Sequence, residues 1–251
     1  MINIFKMDLH RFRTNRVVYL LLLVFSAFQI FGIFMIKQYE QPGDGGLSIG
    51  TMNESQFMQY MLSQPPSWVL FYIVVFTVYF YMSEYNSRFY RNYITMKNSR
   101  LYSVLSKALI LALFTLFILI VLTISNIVGK QLFFGHTELG DIGYFAKLLL
   151  GQFLLHWSFS VLILCVAVHT RNIVIGLSLG FVFALNVFGM LFSALESLQD
   201  QVQFTKYMLV NTIMSHLDYN TEDFIHVIAV SIISLLLFAA VAVRFKLKED
   251  L

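Results

Sequence analysis

Six separate stretches of this chain are apolar for about as long as a helix needs to cross a bilayer, and that pattern closes most folds to it. About twenty mostly apolar residues span the hydrocarbon core as a helix. With no water there, every backbone polar group must be satisfied within the segment. Residues 17–36, 67–83, 101–128, 144–168, 173–195 and 223–243 supply such runs. Only 12% of the 251 residues are charged, roughly half the share of an ordinary soluble domain, so charge cannot cover the surface. The expectation is one all-α polytopic membrane domain over residues 1–251, with six transmembrane helices and no soluble domain of its own.

Basic residues set the orientation. Lys6, Arg11, Arg13 and Arg16, the segment from Arg88 to Lys107, Arg171, and Arg244, Lys246 and Lys248 all fall on one side of a six-span layout. That side holds thirteen of the seventeen Lys and Arg residues, leaving Lys37, Lys130, Lys147 and Lys206 opposite. An excess of Lys and Arg marks the cytoplasmic side, so both termini are expected inside. Residues 1–16 bring Phe5, Leu9 and Phe12 to one face of a helix, with Lys6, His10, Arg13 and Arg16 around them. That pattern fits an amphipathic helix lying in the membrane interface, or more plainly a basic solvated tail. No small-residue cleavage site follows a short apolar core, so the first run reads as a retained span.

Most catalytic chemistry is absent from the pattern. No G-x-x-x-x-G-K-[ST] occurs, Gly129-Lys130 being followed by Gln131, so no phosphate-cradling loop of that kind exists here. The six histidines show no metal-ligand spacing, and no cofactor or nucleic-acid partner is expected. Cys165, the only cysteine, falls inside an apolar run, where it reads as a small buried side chain. His156 beside Trp157 and Ser158 reads as a hydrogen-bonded structural histidine.

Two stripes and one polar island remain. The second run carries Trp68, Phe71, Tyr72, Phe76 and Tyr79 at helical spacing. Such a stripe serves lipid or bundle packing, or else a greasy path for an amphiphilic cargo. The fifth run carries Gly176, Gly180 and Ala184 every four residues, a ridge that lets helices approach closely, either within the subunit or against a second one. Asn186 follows as one of the few polar groups of these runs. The island, 84–107, separates the second and third runs. On a helix, Tyr85, Phe89, Tyr93 and Met96 form an apolar face, with Arg88 and Arg91 elsewhere. A short amphipathic helix over 84–100 could dock into a partner groove or rest on the membrane as a basic loop.

Glu84, Arg100 and Lys107, spaced by sixteen and seven residues around the start of the third run, together with the closing FKLKED of 245–250, carry a resemblance. The chain resembles permease subunits of type-2 ATP-binding-cassette exporters over essentially its whole length. It departs from that family where Arg88 replaces a frequent Gly and Lys97 a frequent Pro. The resemblance implies a bacterial cell-membrane protein and a partner ATPase subunit holding ATP and Mg. It also implies a second permease subunit, as a homo- or heterodimer, and a coupling helix over 84–100 seated in the ATPase. Glu84, Tyr85, Arg88, Phe89, Arg91, Tyr93 and Arg100 would then serve coupling. Phe71, Tyr72, Phe76, Tyr79, Gly176, Gly180 and Asn186 would line the translocation path or the dimer contact. The abundance of Phe, Met and Tyr suits an amphiphilic peptide or lipid-like cargo. In this the chain is similar to bacterial cytolytic-peptide (phenol-soluble-modulin) exporter permeases. Lantibiotic-immunity permeases share the architecture, and a non-transporting membrane scaffold is the reading from another class.

Overall fold

The computed structural model describes residues 2–39, 49–92, 98–135, 138–198 and 204–248, with the backbone alone at 49, 91 and 92. Among them the regular structure is helical: α1 (Ile2–Thr14), α2 (Arg16–Tyr39), α3 (Glu54–Ser63), α4 (Trp68–Asn86), α5 (Ser99–Phe134), α6 (Ile142–Thr170), α7 (Ile173–Ala184), α8 (Val187–Glu196), α9 (Leu209–Met214) and α10 (Thr221–Leu247). Helices α2, α4, α5, α6 and α10 are each long and apolar enough to cross a membrane. The pair α7 and α8 adds a sixth crossing if the bent pair is one span.

Burial sorts these helices into inner and outer ones. Helix α6 runs through the middle and touches α4, α5, α7 and α10. Both α4 and α6 are apolar all round and mostly buried, whereas α2 and α10 turn Leu23, Ile233 and Leu236 outward. An exposed apolar face is destabilising in water but suits lipid tails, which are as apolar as leucine. Hydrophobic force therefore does not hold such helices together; packing and polar contacts do. The Trp157 indole N–H donates to Ala108 O at 2.8 Å, tying α6 to α5. Ser158 donates to Ser231 O at 2.7 Å, tying α6 to α10. Gln29 donates to Asn126 at 2.9 Å between α2 and α5.

Four features differ from the sequence expectation. The polar connections contain helices: α3, opened by a capping box between Asn53 and Gln56, and the short α9. Both pack against the bundle, and the burial of Phe57, Met58, Leu209 and Ile213 explains why they form. The fifth run is not one straight span, because α7 and α8 meet at a 42° bend. Asn186 there takes the left-handed conformation, φ 57°, that Asn tolerates better than most residues. Helix α1 does not rest on the face of Phe5, Leu9 and Phe12 alone. Ile4, Asp8 and Phe12 are its buried residues, with Phe5 and Leu9 only partly covered. Finally, the described residues of 84–100 do not form one continuous short helix. Helix α4 continues to Asn86, a single 3₁₀ turn covers Phe89–Asn92, and α5 has begun by Ser99.

Helix α1 and the last turns of α10 both reach the elbow between α4 and α5. Arg11 of α1 bonds Glu84, and Arg100 donates to Leu247 O at 2.8 Å. Helix α1 and the last turns of α10 therefore lie at one end of the bundle, with α3 at the other.

Candidate functional site

At the elbow, four charges from three helices lie together. Asp8 and Arg11 come from α1, Glu84 from the last turn of α4 and Lys107 from α5. Arg11 pairs with both Glu84 and Asp8, the latter at 3.1 Å. Lys107 pairs with Glu84 at 2.9 Å and approaches Asp8 at 3.8 Å. Ser106 donates to the second Asp8 oxygen at 2.6 Å, and Lys107 donates to Ser103 at 2.9 Å. Arg11 also donates to Ser83 and lies over the Phe80 and Phe89 rings, 4.8 and 5.2 Å from their centres. Two acids and two bases thus cancel, and each carboxylate oxygen faces a donor.

Glu84 and Lys107 are 4% and 1% exposed, so these are buried pairs. Such pairs contribute little net stability over an apolar equivalent, yet losing one partner costs about 3–5 kcal/mol because the other charge is stranded. Burial pushes the Asp8 carboxyl above its ordinary range, Lys107 and Arg11 pull it down, and Glu84 adds to the rise. The cluster behaves as a rivet that holds α1, α4 and α5 in one geometry.

A second contact meets the elbow from α10. Lys246 is buried, 5.6 Å from the Tyr81 ring centre and 5.9 Å from that of Tyr90. Tyr85 stacks between them, 6.4 Å from Tyr81 and 6.2 Å from Tyr90. Beside it, Phe245 packs on His169 at 4.5 Å. Of the closing FKLK, Lys246 is therefore packed into the structure and held by cation–π attraction, whereas Leu247 and Lys248 are exposed.

The expected coupling residues thus separate into groups. Glu84 does not face outward: its carboxylate is buried and paired with Arg11 and Lys107. Tyr85 and Phe89 are half-buried beside it, whereas Arg88 is exposed. Arg88 holds φ 55°, a conformation open to glycine at no steric cost. Arg100 sits in the first turn of α5 on the end of α10. Tyr93 lies outside the described residues, as does the side chain of Arg91.

The expected path residues are also divided. Phe76 is fully buried, stacked on Phe114 at 3.8 Å and edge-on to Phe12. It belongs to the core and lines no path within this chain. Phe71 meets Phe181 of α7 and Tyr72 meets Phe25 of α2, and both, like Tyr79, keep part of their surface open. The small-residue ridge resolves in favour of packing inside the subunit. A Cβ added at Gly180 would stand 2.5 Å from Val74 Cγ1, and one at Gly176 3.2 Å from Val78 Cγ1. The absence of side chains there is what lets α7 lie on α4, so these two glycines face inward and not toward a second subunit.

Asn186 caps the bend and donates to Asn211 beside a cavity of about 1080 Å³. Gly189, Met190, Glu196, Lys206 and His226 contribute to its wall. His156 is fully buried with Nδ1 2.7 Å from Gln152 O, and Cys165 is buried. No group of three potential metal ligands occurs among the described residues.

Sequence pattern alone does not mark Asp8, Arg11, Ser106 and Lys246 as site residues. The signal for Asp8 was present: Ile4, Asp8 and Phe12 repeat every four residues, placing an acid within an apolar stripe. A family model described as ABC-2 family transporter protein matches residues 4–189, a span that takes in the elbow and the bend. No curated protein matches the chain.

Proposed function

This chain belongs to the ABC-2 family of transporter proteins, and from that premise we propose that it is the permease subunit of an ATP-driven exporter. The ATPase is a separate chain that carries ATP and Mg, and it seats on the elbow between α4 and α5. Two permease subunits pair, and the cargo is an amphiphilic peptide or lipid-like molecule leaving the cell. The excess of Lys and Arg at the elbow end supports placing that end, and both termini, in the cytoplasm.

The observation that carries this reading is the buried cluster of Asp8, Arg11, Glu84 and Lys107. A push on the exposed elbow, at Asn86, Ser87 and Arg88, reaches α4 and α5 through it without being lost in side-chain motion. Glu84 and Lys107 transmit, while Arg88 and its neighbours touch the partner. The half-open Phe71, Tyr72 and Tyr79 of α4 are the chain's contribution to a path completed by the second subunit.

The test is purification of the tagged chain from its native membranes, with identification of any P-loop ATPase that comes with it, followed by ATP hydrolysis of the purified material in nanodiscs. Arg88→Glu is expected to lower recovery of the ATPase at least tenfold while the permease still inserts. Glu84→Gln is expected to keep the ATPase bound but to break the link between hydrolysis and transport. A wild-type chain that purifies with no ATPase, or an Arg88→Glu chain with full recovery and turnover, would remove the basis for the assignment.

A further inference from the structure

At the end of the bundle away from the elbow, one acid has none of the partners that Glu84 enjoys. Glu54 opens α3, yet it is not needed to cap it: Asn53 accepts the Gln56 N–H, and Gln56 accepts the Asn53 N–H. The Glu54 side chain instead turns inward. It is 0% exposed, and neither carboxyl oxygen has a hydrogen-bond partner. Its backbone N–H donates to Glu138 O at 2.7 Å, which joins the start of α3 to the connection between α5 and α6.

The charged and titratable groups around it are few among the described residues. Lys130 of α5 is also fully buried, but it donates to Met52 O at 2.5 Å and lies 5.3 Å from the Phe57 ring centre. Glu138 comes from the connection, and Asp141 is engaged with the Gly143 N–H at the start of α6. Tyr144 of α6 donates to Gln59, further along α3. Beyond α9, His216 meets Ser63 at 2.7 Å, at the opposite end of α3. None of these donates a hydrogen bond to Glu54. A carboxylate sealed from water without donors is costly, whereas a neutral carboxyl is far less so.

We propose that Glu54 is a proton-binding site that latches α3 onto the far end of α5: with the proton bound α3 is seated, and with it lost the carboxylate takes up water and α3 lifts away. Burial pushes the Glu54 carboxyl up from 4.5 to about 7, against the pull of Lys130. The seated form therefore binds the proton more tightly than the lifted form. Seating is strongest below about pH 4.5, weakens as pH rises through about 7, and is level above that. Between pH 5.5 and 8 the equilibrium is expected to shift by more than about tenfold. The proposal is independent of the exporter reading and needs no partner chain.

Amide hydrogen exchange on the full-length protein in lipid nanodiscs, at pH 5.5 and 8 with times scaled for intrinsic exchange, tests it. In the wild-type chain, 54–63 is expected to lose protection about tenfold or more at pH 8 while α6 is unchanged. Glu54→Gln, which mimics the neutral group, is expected to keep the pH 5.5 protection at both. Equal wild-type protection at the two pH values would overturn the latch, even if the variant failed to insert. So would a loss that persists in Glu54→Gln, or one abolished by His216→Ala, which would assign it to the Ser63 contact.

Discussion

Each end of the bundle buries an acid near a lysine, and the two do opposite things. At the elbow, Glu84 and Asp8 meet Lys107 and Arg11 at bonding distance, so every carboxylate oxygen has a donor. At the other end, Lys130 is turned to Met52 O, and Glu54 has no donor. Both ends hold a glutamate near a lysine, but the elbow adds Asp8 and Arg11 and its geometry pairs them all. A buried charge therefore has no fixed value to a fold. Partnered, it is a fastener that costs much to remove; unpartnered, it is a strain that a bound proton would relieve.

That contrast predicts opposite signs for one substitution. Glu84→Gln strands Arg11 and Lys107 and is expected to cost about 3–5 kcal/mol, read as thermal stability in detergent at pH 7. Adding Lys107→Met should restore part of the loss. If the double variant is as unstable as the sum of the two single ones, the cluster is not a unit. Glu54→Gln is expected to stabilise instead, by about 3 kcal/mol at pH 8, given a carboxyl raised from 4.5 to about 7. By pH 5 the gain should fall below about 1 kcal/mol, since the wild-type group is then largely protonated. A gain that did not change with pH would end the comparison.

Smaller substitutions sharpen it. Ser106→Ala removes the 2.6 Å bond to Asp8 and is expected to cost about 1.5–3 kcal/mol, the range for hydrogen bonds to charged groups. Arg88→Gly touches the elbow but not the cluster. It relieves the φ 55° conformation and should stabilise by about 1 kcal/mol, while still weakening recovery of the ATPase. A loss of stability there would show that Arg88 makes contacts that outweigh its backbone strain.

The sequence made the two ends legible to different depths. Long apolar runs mark helices because the bilayer leaves the backbone no alternative, and the helices do lie over those runs. The island from Glu84 stood out because its charge interrupts them. Asp8 did not, since it sits in a segment whose basic residues dominate any local reading, and apart from Arg11 its partners Ser106 and Lys107 are 98 and 99 residues away in the chain. Glu54 was hidden for a similar reason. It lies in a polar connection, where an acid is ordinarily solvated, and only the docking of α3 makes it buried. The bend at Asn186 escapes hydropathy because both halves are equally apolar. The inward face of Gly176 and Gly180 is set by Val74 and Val78, which spacing alone cannot reveal.

Helix α5 gives the two ends a common mechanics. Its 36 residues make a rod about 54 Å long at the usual rise, nearly twice the roughly 30 Å of hydrocarbon it must cross. Lys107 and Lys130, 23 residues apart, are separated along it by about 35 Å. A stiff rod with its fulcrum inside the bundle is a lever. A tilt of about 5° imposed at the elbow would swing the far end by about 1.5 Å in the opposite sense, enough to open or close the hydrogen bond between Lys130 and Met52. Such a tilt would carry a push at the elbow to the Lys130 end through the motion of a single beam.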